Sequence, residues 1–363
     1  MKIVVIALSG IGDAIMFSPA LRLLKEHYPS AEIDLLTMFR GAAEIYERLP
    51  DISSVYYWDF LKKGKFESIM FLRQLRQKKY DISITVFPAN RWQYNVIAWC
   101  IGARRRLGTD YLNLNAQSMP WLLTDRIPEQ DELHNVEENC KLVGLLGVQI
   151  PQEIPPLQMQ VTEADDAGTA AWLQGQNIPA DKPIIGIHAG SAVFKNQINK
   201  RWAGDKYAEL SILLRQTYNA TILLFGGPEE RELNEQIAAH SDGSAIVVTT
   251  PSIMSSIALM KRCTLFVSND SGLMHIAAAL PLPLVSIFGY TSHIHTRPWT
   301  PRYEVVRHEL PCSPCFYFSP RPAACQFSGA DEFKCIRRID VQEVYQACMR
   351  LLQAGEPHPA GQF

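Results

Sequence analysis

Between the apolar runs "CTLFV" and "LMHIAAAL" stands a polar insert, Ser268-Asn269-Asp270-Ser271-Gly272. The first run reads as a buried strand and the second as a buried helix. The insert therefore lies where a strand hands over to a helix N-terminus. Unpaired N–H groups and the helix dipole favour an anion at such a point, most simply a phosphate. Gly272 lets the backbone approach a ligand, and Ser271 can donate its hydroxyl. Asp270 would repel a bare phosphate and fits better as an acceptor for sugar hydroxyls. His275 falls one helical turn after Ser271, so it either faces the same ligand or packs as a core histidine. Plain capping of the helix by Ser271 or Asp270 competes with the ligand reading.

A second chemical stretch, "SGIGDAI", follows the first apolar run and carries Gly10, Gly12 and Asp13. It resembles half of a dinucleotide fingerprint, but Ile15 stands where a third small residue is needed. Asp13 also sits where a pyrophosphate would dock and would repel it. The following strand, "EIDLLTM", ends without the acid that holds a ribose. The loop is a poor NAD site and instead presents a carboxylate, which suits a general base. Asp13 as an N-cap of the first helix is the alternative. In "KRW", Lys200 stands beside Arg201 and Trp202 at a strand exit, a setting that suits a phosphate-binding lysine better than a solvated one.

Strands and helices must hold these residues, and they alternate. "KIVVIAL", "EIDLLTM" and "DISITVF" read as strands of the N-terminal half. The C-terminal half supplies "PIIGIHAG", "ATILLFGG", "AIVVTT", "TLFVSND" and "PLVSIFG". Amphipathic stretches such as "DAIMFSPALRLLKEHYP", "KFESIMFLRQLRQKK" and "WAGDKYAELSILLRQ" lie between strands. The alternation predicts parallel sheets covered by helices on both faces. The pattern fades in "VQIPQEIPPLQMQVTEAD", which reads as a linker between domains at 1–155 and 156–363. In the second half "HAGS", "GGPEE", "TTPS", "SNDSG" and "GYTSH" each follow a strand. They would gather at the carboxyl edge of the sheet, where open α/β folds bind ligands.

The 363 residues are 47% hydrophobic and 20% charged, with a formal net charge of −2. That balance argues against a dedicated nucleic-acid binder. No apolar stretch approaches the roughly 18 residues of a membrane span. The opening "IVVIAL" is too short for a signal peptide and runs into Gly-Ile-Gly-Asp, so a cytoplasmic protein is expected. Of eight cysteines, Cys100, Cys140, Cys263 and Cys348 lie among apolar neighbours and read as buried thiols. Cys312, Cys315, Cys325 and Cys335 cluster in a tail segment, 312–335. Its leading C-x-x-C leaves structural zinc open beside reduced thiols or an adventitious disulfide.

One domain offers a carboxylate and the other phosphate-binding features, a division that suits a sugar-nucleotide glycosyltransferase. The chain resembles glycosyltransferase family 9, the ADP-heptose:lipopolysaccharide heptosyltransferases. The resemblance rests on "GIGDAIMFSPALRLLKEHYPSAEIDLLT", "KRW" after "IHAGS", "SNDSGLMHIAAALPLPLVSIFGYT" and the tail "CSPC". It spans nearly the whole chain. It implies the GT-B architecture, two Rossmann-like α/β/α domains facing a central cleft, the first binding acceptor and the second the donor. It implies inverting transfer of heptose from ADP-heptose to the inner core of lipopolysaccharide, without a catalytic metal. Asp13 matches the family's base, with Gly10 and Gly12 on the acceptor side. Lys200 matches the lysine that meets the donor phosphates, with Lys195 as its substitute because the loop "AVFKNQIN" is longer than usual. Asp270, Ser271, Gly272, Leu273 and His275 match the donor block. Glu229 or Glu230 matches an acid near the adenosine ribose.

The acceptor side has a weaker signature. "KKGKFESIMFLRQLRQKK" is basic and amphipathic, and "GARRRLG" adds three arginines. An anionic lipid-linked saccharide, met by peripheral contact with the inner membrane, would suit both. An ordinary core-packed helix with a solvated basic face suits the first equally. A sugar-nucleotide epimerase, another nucleotide-sugar transferase and a non-catalytic nucleotide-sugar binder share the architecture and remain alternatives.

Overall fold

The structure, a computed structural model, describes residues 1–317 and 323–353, without the side chains of Phe194 and Lys195. Residues 318–322 of the cysteine segment, the last ten residues of the domain read as 156–363, and the alternative Lys195 side chain lie outside that description. The chain forms two compact units, Met1–Gln160 and a second that begins at Val161.

The first unit carries β1 (Lys2–Ala7), β2 (Glu32–Thr37), β3 (Ser54–Tyr57), β4 (Ile82–Thr85), β5 (Arg105–Asp110) and β6 (Asp125–Pro128). The second carries β7 (Ile184–His188), β8 (Thr221–Leu224), β9 (Ala245–Val247), β10 (Leu265–Asn269), β11 (Leu284–Ile287) and β12 (Tyr303–Val306). All pairings are parallel. The orders are β3-β2-β1-β4-β5-β6 and β12-β11-β10-β7-β8-β9, the same winding twice. The central strands are buried on both faces, which is why "IVVIA" in β1 and "IIGI" in β7 read as unbroken apolar runs. In each unit the connections leave in opposite directions from two adjacent strands, β1 and β4 or β7 and β10. The carboxyl ends part there and leave a crevice.

Three local features differ from the sequence expectation. "DAIMFSPALRLLKEHYP" forms two helices, Ile11–Met16 and Ser18–His27. Pro19 has no N–H for the Ile15 carbonyl, and the Ser18 hydroxyl donates to it instead (2.7 Å). Strands β3, β5, β6 and β12 lack a clear apolar signature. In "GARRRLG" two arginines hold β5 in place. Arg105 pairs with Asp125 at 2.6 Å, and Arg106 donates to the carbonyls of Leu122 and Ala103. Both therefore have partners within the fold.

Helices Lys65–Gln77 and Trp92–Ile101 pack Leu72, Leu75, Ile97, Ala98 and Ile101 onto one face of the first sheet, over Val4, Ile6 and Leu36. In the second unit Trp202, Tyr207 and Leu214 join Val344, Ala347 and Leu351 of the helix Val341–Gln353 against Ile187, Val267 and Val285. Cys140, Cys263 and Cys348 are buried thiols, and Cys100 is half-buried.

Candidate functional site

Ser268 to Ser271 leave β10 at the crevice of the second unit, and each of the four side chains has its own task. Asn269 is wholly internal. Its amide donates to the carbonyls of Ala189 and Gly190 beyond β7, and its carbonyl accepts from Trp202 N–H and the Tyr207 hydroxyl. It therefore ties together the ends of β7 and β10 and the "KRW" segment. Ser271 is the N-cap of the helix Gly272–Ala279, accepting from Met274 N–H at 3.4 Å. The capping explanation thus holds for Ser271, whose hydroxyl also meets His188 Nδ1 (2.9 Å) and Ser268 Oγ (3.0 Å). Gly272 and Leu273 open the helix, half-buried, where N–H groups have no partner within the helix.

Asp270 is 6% exposed and pairs with Lys200, Nζ to Oδ2 2.7 Å. Burial alone would raise its carboxyl. The Lys200 ammonium, His275 and the Thr291 hydroxyl together outweigh that and hold it below the ordinary carboxylate range. His275 is buried beside the pair. Burial pushes its imidazole down to about 4, with Asp270 and Lys200 acting in opposite directions, so it is neutral at neutral pH. Its Nδ1 has no hydrogen-bond partner among the described residues.

The two glutamates separate cleanly. Glu229 is exposed. Glu230 is buried and joins His188 Nε2 at 3.0 Å and Gly227 N–H at 3.0 Å, with Arg201 3.7 Å away. Burial raises the Glu230 carboxyl, and His188, Gly227 and Arg201 together bring it below its usual value. Gly190 permits this arrangement, since a Cβ there would stand 1.7 Å from Glu230 Oε1. Arg201 also donates to the Ser191 carbonyl at 2.7 Å. His188 and Arg201 are site residues to which the sequence reading gave no role of their own, although His188 opens the "HAGS" cluster and Arg201 stands beside Lys200 in "KRW".

In the first unit Asp13 is half-buried in the opening turn of the helix Ile11–Met16. Gly10, not Asp13, is the N-cap, and it makes no side-chain cap bond. The carboxylate lies over Gly10, where a Cβ would come within 3.0 Å of Oδ2. Gly12 is buried beneath. Burial raises the Tyr94 phenol, Arg91 and Ser9 pull it back, and the charge of Asp13 adds to the rise. The Ser9 hydroxyl donates to the Pro88 carbonyl beyond β4, so these groups gather where β1 and β4 part. Tyr94 and Arg91 were likewise missed from sequence.

Cys312, Cys315, Cys325 and Cys335 are free thiols lining one pocket with Tyr290 and Phe333. Burial, reinforced by the neighbouring thiols, pushes Cys335 up to about 11. Among the described residues no group of three or more His, Cys, Asp or Glu is arranged to hold a metal ion. The segment is tied to the loop after β11. Cys315 and Phe316 N–H donate to the Tyr290 carbonyl, and Ser313 Oγ to the Gly289 carbonyl. They thereby fix the loop whose next residue, Thr291, reaches Asp270.

Charge-compensating groups at one crevice and a carboxylate at the other are what a group transferase needs. The model of the family described as glycosyltransferase family 9 (heptosyltransferase) matches residues 69–321. The chain is similar to lipopolysaccharide heptosyltransferase 3 of Escherichia coli, 28% identical over 308 residues, covering 80% of this chain and 84% of that one. It is similar in fold to the solved E. coli ADP-heptose LPS heptosyltransferase II, at 24% identity, TM-score 0.74, and 97% and 98% of the two chains. It is also similar in fold to an E. coli heptosyltransferase solved with ADP-2-deoxy-2-fluoro heptose, at 20% identity, TM-score 0.67, and 96% and 99% coverage. The fold is the doubly repeated Rossmann arrangement of those enzymes, and the family match spans most of the sequence: the chain belongs to glycosyltransferase family 9, the heptosyltransferases, and is a glycosyltransferase.

Proposed function

We propose that this enzyme moves heptose from ADP-heptose to the inner core of lipopolysaccharide with inversion at the anomeric carbon. The observation that carries the reading is the Lys200–Asp270 pair beside the N-terminus of the helix Gly272–Ala279. The names of the similar enzymes support the choice of donor and acceptor.

The second unit binds the donor. Lys200 uses one N–H on Asp270 and has two left for the diphosphate, together with the N–H groups of Gly272 and Leu273. Asp270 accepts from heptose hydroxyls through the lone pairs that Lys200 and Thr291 leave open. Exposed Glu229 takes the ribose, since Glu230 is engaged by His188. Asp13, in the acceptor-binding unit, removes the proton from the acceptor hydroxyl. That oxygen bonds to the anomeric carbon as the bond from carbon to phosphate oxygen breaks, and ADP leaves with the electron pair. The negative charge that grows on ADP is compensated by Lys200 and the helix N-terminus, so their effect is greatest in the transition state. No step requires a metal. No helix among the described residues is long and apolar enough to cross a membrane. The proposed setting is the cytoplasmic face of the inner membrane, where a lipid-linked, anionic acceptor is met.

The test is to incubate the protein with ADP-heptose, without acceptor and with either a lipid A–Kdo or a core-heptose acceptor, and to follow ADP and the saccharide product. Acceptor-dependent ADP release with stoichiometric product supports the reading. Altered sugar without acceptor would mean an epimerase, and binding without turnover a non-catalytic protein.

A further inference from the structure

Among the described residues, most of the exposed large apolar side chains belong to the first unit, and several lie on two neighbouring helices. The helix Lys65–Gln77 buries Leu72 and Leu75 against the sheet. Its opposite face carries Phe66, Ile69 and Met70, which are 76%, 56% and 41% exposed, and Leu61 in the preceding turn is 77% exposed. The adjoining helix Trp92–Ile101 buries Ile97, Ala98 and Ile101 and turns Trp92 and Trp99 outward, 47% and 54% exposed. Arg76 Nη1 donates to the Cys100 carbonyl and joins the two helices side by side. Neither outer face is needed for the core, because the inner faces already supply it. An outer face facing only water should be polar.

The charges around this surface are nearly all of one sign. Residues 61–79 contain seven lysines and arginines and a single acid, Glu67. The Glu67 carboxylate already accepts the Gly64 N–H at 2.9 Å. A second copy of the chain, docked symmetrically, would bring this basic rim against itself. An anionic bilayer surface complements it. The apolar side chains enter the headgroup boundary, the tryptophans sit at the interface they favour, and the lysines meet lipid phosphates.

We propose that the outer faces of the helices Lys65–Gln77 and Trp92–Ile101, with the turn at Leu61–Lys63, form a docking surface for an anionic lipid bilayer. It carries the enzyme to a lipid-linked acceptor and in that sense rests on the proposed transferase function. The test does not depend on turnover. The full-length protein is sedimented with vesicles of 30% phosphatidylglycerol in phosphatidylethanolamine, and with vesicles of phosphatidylcholine alone. The parent should partition at least roughly tenfold more strongly onto the anionic vesicles and lose that preference in high salt. The double variant Phe66→Ser/Ile69→Ser should partition about tenfold less. The triple variant Lys62→Glu/Lys63→Glu/Lys65→Glu should no longer distinguish the two lipids. Circular dichroism and ADP titration of each variant check that the fold and the second unit are intact. Equal binding to both vesicle types, or binding untouched by either variant, would overturn the proposal. So would dimerisation without lipid that Phe66→Ser/Ile69→Ser abolishes. Charge-dependent vesicle binding by a protein that never consumes ADP-heptose would sink the transferase reading and leave the docking surface standing.

Discussion

Lys200 and Asp270, seventy residues apart in sequence, meet at 2.7 Å at the end of β10. Both were separately expected at a donor site, and their pairing makes them one unit. Lys200→Met should weaken ADP and ADP-heptose alike, since it removes charge facing the phosphates. Asp270→Asn should weaken ADP-heptose more than ADP, and should also loosen Lys200. The double variant should therefore lose less than the sum of the two, with a coupling of about 1.5–3 kcal/mol. Calorimetric titration of both ligands into the four proteins measures it. Strict additivity would mean the contact does not serve binding.

The buried pair of His188 and Glu230 predicts a different response. Glu230→Gln leaves His188 and Arg201 without their carboxylate and should lower stability by about 3 kcal/mol. Glu229→Gln, at an exposed position, should leave stability within about 0.5 kcal/mol and act only on nucleotide affinity. Gly190→Ala should mimic Glu230→Gln, because its Cβ would occupy the glutamate's place. Denaturant melts of the three variants decide this. A stable Gly190→Ala protein would contradict the packing described.

His275 gives the molecule an acid-sensitive element. Its folded imidazole titrates at about 4, against about 6.5 in an unfolded chain. Between those values the unfolded state binds more protons, so stability falls as pH is lowered through that window. The neighbouring Asp270 adds its own loss only lower, as pH drops below the ordinary carboxylate value toward its depressed folded one. The parent should lose about 2 kcal/mol more between pH 7 and pH 5 than His275→Gln does. Parallel pH profiles would show that His275 is not held neutral.

The cysteine segment is expected to act through structure. Cys312→Ser/Cys315→Ser should lower the thermal midpoint by several degrees and alter turnover only as the Tyr290–Thr291 loop loosens. Rapid, reversible loss of activity on thiol modification of a still-folded protein would contradict this.

The sequence made the central strands legible because parallel strands covered on both faces need an apolar run, as "IVVIA" in β1 and "LFV" in β10 supply. Edge strands escape that constraint. β6, "DRIP", ends in a proline and pairs only with β5, whose own arginines serve as ties rather than surface charge. The site was legible where one segment held its parts together, as in "SNDSG" and "KRW". It was not legible where partners come from distant strands. Nothing local says that Glu230 turns inward to His188 while Glu229 turns out. Nor does sequence show that Ser271 caps while Asp270 pairs. Tyr94 and Arg91 lie on a different strand connection from Asp13, and only the strand order brings them together.

Asp13 carries the central step of the proposed chemistry. Its carboxylate lies half-buried in the opening turn of the helix Ile11–Met16, over Gly10. With ADP-heptose and acceptor, the parent should release one ADP per saccharide formed. Asp13→Asn should bind ADP-heptose with unchanged affinity and turn over at least about a hundredfold more slowly. Normal acceptor-dependent turnover by a folded Asp13→Asn protein would contradict it.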